Sequence, residues 1–186
     1  PFRTALRNRP GGKKIVVQGV GHVGEYLVEA LARENADVYI SDIHQDTLNK
    51  VAQKYGAKII GLDEVYDIDM DIYAPCALGA TVNTDTLSRL KCSIIAGSAN
   101  NQLENEQIHG KMVMDKGIIY APDYAINSGG VINCYCEVKE LSQSWSMNKA
   151  EEIYATVLNI VNRSKSENIA TYQIANQMAE ERIASV

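Results

Sequence analysis

Histidine is scarce in this chain, and cysteine is poorly placed for chemistry. Only His22, His44 and His109 occur, and they are scattered. The four cysteines, Cys76, Cys92, Cys134 and Cys136, form no C-x-x-C pair. Cys134 and Cys136 are badly spaced for a metal and have no histidine beside them. Free thiols of a cytoplasmic protein are therefore expected, with no structural zinc and no disulfide framework. No apolar run approaches the about 20 residues needed to span a bilayer, and the first residues lack the apolar core of a signal peptide. The net charge is −5 with no long basic run, which argues against a nucleic-acid surface. The run Asp67, Asp69, Asp71 lacks the glycine and distal glutamate of a calcium loop. An acidic edge leading into a strand is the expected reading, and no metal is expected. Neither a low-complexity tract nor an internal repeat beyond a β-α alternation is present.

What remains is an ordinary globular composition, 46% hydrophobic and 22% charged over 186 residues. That length suits one large domain, or one domain with an appendage. The chain is organised around KKIVVQGVGHVG, from Lys13 to Gly24. Ile15, Val16 and Val17 read as a strand buried on both faces. Gly19, Gly21 and Gly24 then form G-x-G-x-x-G. The first glycine permits a sharp turn, the second lets a pyrophosphate approach the backbone, and the third lets the next helix pack closely on the strand. The free N–H groups at the start of that helix would face the phosphates. Val23, Tyr26, Leu27, Ala30 and Leu31 are expected on its apolar face. Asp37–Ser41 reads as a second strand ending at Asp42, eighteen residues beyond Gly24. An acid there suits the adenosine ribose and repels a ribose phosphate, which favours NAD over NADP. Ile43 could lie against the adenine. Alternatively, the glycines make an ordinary strand–helix turn, with Asp42 capping the next segment.

The alternation continues along the chain. Asp46 is expected to cap a helix carrying Leu48, Val51, Ala52 and Tyr55, which Gly56 ends. Further strands are expected at residues 57–60, 71–74, 92–96 and 118–121, with helices over 83–90 and 104–116. The sheet should be doubly wound and parallel, in the Rossmann order 3-2-1-4-5-6. From about Gly129 the chain reads as helical. One helix runs from Gly130 toward Leu141. A second begins near Asn148, which forms a capping box with Glu151 and is followed by apolar Ile153, Val157 and Val161. A last helix starts after Thr171, with Ile174, Met178, Ala179 and Ile183 recurring. The expected division is a linker over 1–12, a nucleotide-binding domain over 13–133, and a helical extension over 134–186 packing on it.

Four loops leave the carboxyl ends of the strands, where open α/β sheets bind ligands. They are GVGHVG, APCALGA, AGSANNQ and APDYAINSGG. Asn100 and Asn127 could bond a ribose, a carboxamide or a carboxylate. Equally, either could simply satisfy its own loop backbone.

Together, GKKIVVQGVGHVG, SDI, DIYAPCALGA, IIAGSANNQLENEQIH and GIIYAPDYAINSGGVIN resemble the nucleotide-binding domain of the glutamate, leucine, phenylalanine and valine dehydrogenase family, which also includes tryptophan dehydrogenases. The resemblance runs from about Gly12 to Asn133 and more loosely through the helical tail. It implies reversible oxidative deamination of an L-amino acid by NAD. It further implies that the segment Gly19, Val20, Gly21, His22, Val23, Gly24 holds the pyrophosphate, with Asp42 on the adenosine ribose and Ile43 beside the adenine. Cys76 and Ala77 would line the adenosine side. Ser98 and Asn100 would reach the nicotinamide ribose and ring, and Asn127 would bind the substrate carboxylate or set the nicotinamide face. His22 departs from the asparagine frequent there, and Cys134–Ser146 diverges from the leucine enzymes, leaving the amino acid open. In the family the catalytic lysine and aspartate lie on a separate N-terminal domain, expected to be missing here, so no catalytic residue is assigned to this chain. Lys13 and Lys14 sit at the wrong end of the first strand and are expected to be solvated. The parent protein is expected to be a homo-oligomer, assembled largely through that other domain. Two other readings stand beside this one. The chain could be a standalone NAD-sensing module. It could also be a complete small reductase, which would need a Tyr-x-x-x-Lys pair beside the nicotinamide and is disfavoured.

Overall fold

The computed structural model describes residues 10–185. Most of the expected linker, residues 1–9, lies outside them. Six parallel strands form one sheet in the order β3-β2-β1-β4-β5-β6. They are β1 (Lys14–Gln18), β2 (Asp37–Ser41), β3 (Lys58–Ile59), β4 (Ile72–Pro75), β5 (Ile94–Ile95) and β6 (Ile119–Tyr120). This is the doubly wound Rossmann order expected from the sequence. Strand β1 lies at the centre, with Ile15 opposite Val38 on one side and Ile72 on the other.

The apolar run of β1 is continuous because both faces of the sheet are covered. Ile15 and Val17 point into one core, with Ile40, Ile72 and Ala74. Val16 points into the other, with Tyr73, Ile95 and Leu87. The connecting helices are α1 (His22–Arg33), α2 (Gln45–Tyr55), α3 (Thr84–Arg89), α4 (Glu106–Asp115) and the single turn α5 (Asp123–Ile126). Helices α6 (Gly129–Val138), α7 (Gln143–Glu167) and α8 (Thr171–Ala184) follow. Helix α7 returns to the sheet: Val157 belongs to the same core as Ile15 and Val17. Its far end packs on α8 through Ile160, Ile174 and Ala175.

Local details differ from expectation where side chains compete for backbone groups. Helix α7 starts five residues before Asn148. Ser142 caps it by accepting from the Trp145 N–H (3.3 Å), so Asn148 and Glu151 are interior positions and form no capping box. Asp46 lies in the first turn of α2, whose N-cap is His44; Gly56 ends that helix at φ +70°. The buried face of α1 runs through Gly24, Val28 and Leu31, while Val23 and Tyr26 are exposed. The close contact at Gly24 sets this rotation of the helix. Ile183 is likewise exposed rather than packed. Lys13 is not merely solvated, since its Nζ donates to Asp71 Oδ1 (2.8 Å). The acidic run is an ion-paired edge: Asp67 holds Arg89, Asp69 faces Lys91, and Asp71 holds Lys13. The Tyr-x-x-x-Lys spacing does occur once, at Tyr135 and Lys139. Tyr135 packs against Trp145 with ring centroids 5.6 Å apart, and Lys139 lies past the end of α6 as its C-cap.

Candidate functional site

The loop after β1 is built from three glycines with three different surroundings. Gly19 has φ +97°, and a Cβ there would meet the Ala77 backbone N at 2.7 Å. A Cβ on Gly24 would strike the Gly19 carbonyl oxygen, so the helix sits against the turn. Gly21 differs from both. It is the N-cap of α1 with an extended backbone, and a Cβ would meet nothing within 4 Å. The structure itself does not require glycine there, so the open space is available to a ligand. His22 is exposed and its ring meets Tyr26 edge-on at 5.1 Å.

Asp42 ties this loop to the end of β2. Its Oδ2 accepts from the Val20 N–H (2.7 Å) and its Oδ1 from the His44 N–H (2.8 Å). Each carboxylate oxygen keeps a further lone pair for another donor. Asp42, Ile43 and Ala77 open onto one pocket of about 180 Å³ with Gln18, Gly19, Ser41, Leu62, Leu78 and Thr81. The exposed side chains of Ile43, Leu62 and Leu78 give it an apolar rim. Two hydroxyls in its wall, Ser41 Oγ and Thr81 Oγ1, are buried and have no hydrogen-bond partner. Below them Gln18 is held by two tyrosines, donating to the Tyr66 hydroxyl (3.0 Å) and accepting from the Tyr73 hydroxyl. Four loops therefore converge on one slot with an apolar rim and a carboxylate at its edge.

The other end of the site lies beyond β4, β5 and β6. A Cβ on Gly97 would run into the Pro75 backbone, so the loop after β5 lies tightly on the end of β4. The Ala99 N–H donates to the Pro75 carbonyl (3.0 Å). Cys76 lies against Ser98; burial pushes its thiol up, and hydrogen bonds with Ser98 pull it back only in part. Asn127, the C-cap of α5, donates from Nδ2 to Asn100 Oδ1 (2.5 Å) and toward the Ser98 carbonyl (3.4 Å). Ser98, Asn100 and Asn127 are thus brought into one cluster, as Asp42, Ile43 and Ala77 are in the other. Asp123, in the same fourth loop, is buried. It accepts from the Gln102 N–H (2.8 Å) and from the Tyr120 hydroxyl (3.3 Å).

Several residues of these clusters escape a reading of the sequence. Gln18 and Ser41 carried a usable signal, since each is the polar last residue of a strand after a run of three largely apolar residues. Leu62, Leu78 and Thr81 carried none, because Leu62 arrives from the loop after β3 and the other two from the loop after β4.

The parallel order, the glycine turn and the slot beside Asp42 define a Rossmann-type α/β domain with its candidate ligand site at the strand carboxyl ends. The model of the glutamate/leucine/phenylalanine/valine dehydrogenase family matches residues 39–186, and the chain belongs to that family. It is 47% identical over 172 residues to a leucine dehydrogenase of Thermoactinomyces intermedius, covering 92% of this chain and 47% of that protein. The crystal structure of L-tryptophan dehydrogenase from Nostoc punctiforme superposes with a TM-score of 0.93 at 41% identity, over 96% of this chain and 53% of that one. Hetero-hexameric glutamate dehydrogenase from Thermus thermophilus shares the fold, with a TM-score of 0.72 at 18% identity over 97% of this chain and 48% of that one. The chain spans about half the length of the curated relatives it matches. No helix among the described residues is long and apolar enough to cross a membrane.

Proposed function

We propose that this chain is the NAD-binding half of an L-amino-acid dehydrogenase acting in the cytoplasm. In the reaction an L-amino acid, water and NAD⁺ give a 2-oxo acid, ammonium, NADH and a proton. When bound, the cofactor would supply the hydride acceptor. The chain's own residues would bind and orient it. Backbone N–H groups at Gly21, His22 and Val23 would meet the pyrophosphate at the start of α1, in the open space at Gly21. Asp42 would accept from the adenosine ribose hydroxyls while still holding the Val20 N–H. Its charge would oppose a ribose phosphate, favouring NAD over NADP. Ile43, Leu62, Ala77 and Leu78 would cover the adenine, with Cys76 contributing backbone beside it. The unpaired hydroxyls of Ser41 and Thr81 fit a ligand that brings polar atoms into the slot. Ser98 and Asn100 would meet the nicotinamide ribose and ring, and Asn127 the ring or the substrate carboxylate.

Deamination also needs groups that move protons to and from the amine and the water. We assign these to a lysine and an aspartate in the part of the relatives that this chain does not cover. Residues 13–133 would form the cofactor domain and residues 134–186 its helical extension, with the whole enzyme a homo-oligomer. The observation that carries the reading is the slot where Asp42 and the glycine turn meet.

NADH titration followed by fluorescence, then NADH formation with a panel of L-amino acids, tests it. The expected outcome is binding of NADH well above NADPH, without turnover by the 186-residue chain. Equal affinity for the two would remove Asp42 from the ribose, and turnover would mean that the acid–base groups lie within this chain. Loss of all binding would reject the proposal.

A further inference from the structure

Gln102 lies where the loops after β4, β5 and β6 meet, and it is wholly buried. Its carbonyl accepts from the Val82 N–H (2.9 Å), which joins it to the loop after β4. Its own N–H donates to Asp123 Oδ2 (2.8 Å), which joins it to the loop after β6. Its side-chain Nε2 donates to the Gly97 carbonyl (2.9 Å) and to the Ala99 carbonyl (3.0 Å). Two carbonyl acceptors on one side fix which way the amide points, and Oε1 on the other side is buried without a partner. Those carbonyls flank Ser98 on both sides, so the amide is a brace across the backbone turn that presents Ser98. An apolar side chain of the same shape would fill this space but leave both carbonyls without their donor, so the amide is there for its bonds. Its bonds here go to one loop only.

We propose that Gln102 is a positioning residue for the nicotinamide end of the cofactor. It acts through Ser98 and Asn100 without touching the ligand. The inference rests on the reading above that these residues meet the nicotinamide riboside. The adenosine slot is built by other loops and does not depend on the brace. Gln102 therefore matters for NADH and not for ADP, which keeps the diphosphate and adenosine but lacks the whole nicotinamide riboside.

The test compares the affinity of the full chain for NADH and for ADP, in the unmutated protein and in Gln102→Met. Methionine keeps the length and volume of the side chain but cannot donate to either carbonyl. NADH affinity should fall about tenfold, the scale of ordering one freed loop segment on binding, and ADP affinity should stay within about twofold. The enhanced nicotinamide fluorescence of the bound state should fall with it. An unchanged ratio of the two affinities overturns the proposal, as does an equal loss of both, which a purely structural role predicts. Should the variant not fold, amide exchange in the unmutated chain decides. NADH should slow exchange at Ser98, Ala99 and Gln102 more than ADP does, and equal protection by both overturns the proposal. If the unmutated chain binds neither ligand, the NAD reading itself fails, an outcome distinct from binding of both with an unchanged ratio.

Discussion

Gly21→Ala separates what the glycine turn does for the fold from what it does for a ligand. Gly21 has φ −63° and ψ −163°, an extended conformation open to any residue. A Cβ built there meets no atom within 4 Å. Two small effects on stability oppose each other. Alanine is a poorer N-cap than glycine, by less than about 1 kcal/mol, while the loss of glycine freedom from the unfolded chain returns about 0.4–1 kcal/mol. The net change should stay within about 0.5 kcal/mol, or about 2 °C in Tm for a chain of this size. Ligand binding should behave differently. The methyl group would occupy the space through which a pyrophosphate reaches the N–H groups of α1. Losing one charge-assisted hydrogen bond costs about 1.5–3 kcal/mol, a ten- to hundredfold loss of NADH affinity by the relation of about 1.4 kcal/mol per decade.

Gly24→Ala is the control that should fail in the opposite way. Its Cβ would strike the Gly19 carbonyl oxygen, which is backbone and cannot rotate aside. Overpacking of this kind costs about 1–3 kcal/mol, against at most about 1 kcal/mol of helix propensity gained. Thermal unfolding and NADH titration on the two variants provide the assay. Normal NADH affinity in Gly21→Ala would refute the placement of the phosphates. A large fall in its Tm would refute the geometric argument itself.

Asp42→Ala should weaken NADH binding by about 1.5–3 kcal/mol and also lower Tm, because the Val20 N–H, now bonded at 2.7 Å, loses its acceptor; unchanged NADH affinity by fluorescence titration would remove Asp42 from the site. Ser41→Ala should raise Tm of the ligand-free chain, since it deletes a buried hydroxyl with no partner, a group that costs about 1–3 kcal/mol when left unsatisfied; a lower Tm would mean that the hydroxyl is bonded. Asp71 is destabilised as an anion by partial burial, but bonds from Lys13 and from the Lys14 N–H outweigh this and hold its carboxyl below the usual range. A depressed folded value means a contribution to stability that is complete above the unfolded carboxylate range near pH 4 and lost as pH falls through the folded value. Asp71→Asn should therefore flatten the acid limb of the Tm–pH curve below about pH 4, and an unchanged limb would assign the acid sensitivity elsewhere.

The order of the sheet was legible because the alternation comes with a glycine turn after β1 and an acid after β2, the marks of the dinucleotide-binding form of the doubly wound sheet. Strand β2, Asp37–Ser41, was read to the residue, since its β-branched and aromatic run is bounded by polar neighbours. Helix starts were less legible. Nothing in the composition around Ser142 and Asn148 says which hydroxyl or amide wins the free N–H groups; packing of Trp145 against Tyr135 favours the earlier start. The face of α1 was misjudged for a related reason. Val23 and Tyr26 look like core residues by hydropathy, but the contact at Gly24 fixes the helix rotation and turns them outward. Within the site, the residues that were legible act near a motif: the glycines, Asp42 and Ile43. Thr81 and Gln102 were not: Thr81 matters only beside loops that the fold brings to it, and Gln102 only through a local turn that no spacing in the sequence announces.

The same division shows where the precision of the site comes from. Loops at strand ends are the parts of an α/β domain with most conformational freedom, yet here three are held by side-chain bonds, two of them from another loop and one from within the loop itself. Asp42 holds the glycine turn through Val20. Gln102 holds the turn around Ser98 from within the core. Asn127 closes onto Asn100 from the loop after β6. All of these bonds are present in the chain by itself, so little ordering remains to be done when a ligand arrives. A flexible loop that closed on its ligand would show the reverse, with donors and acceptors left free until binding. Among the pocket-lining hydroxyls that pattern is confined to Ser41 and Thr81. The frame is therefore set in advance, and a ligand's polar atoms would complete it in the adenosine slot.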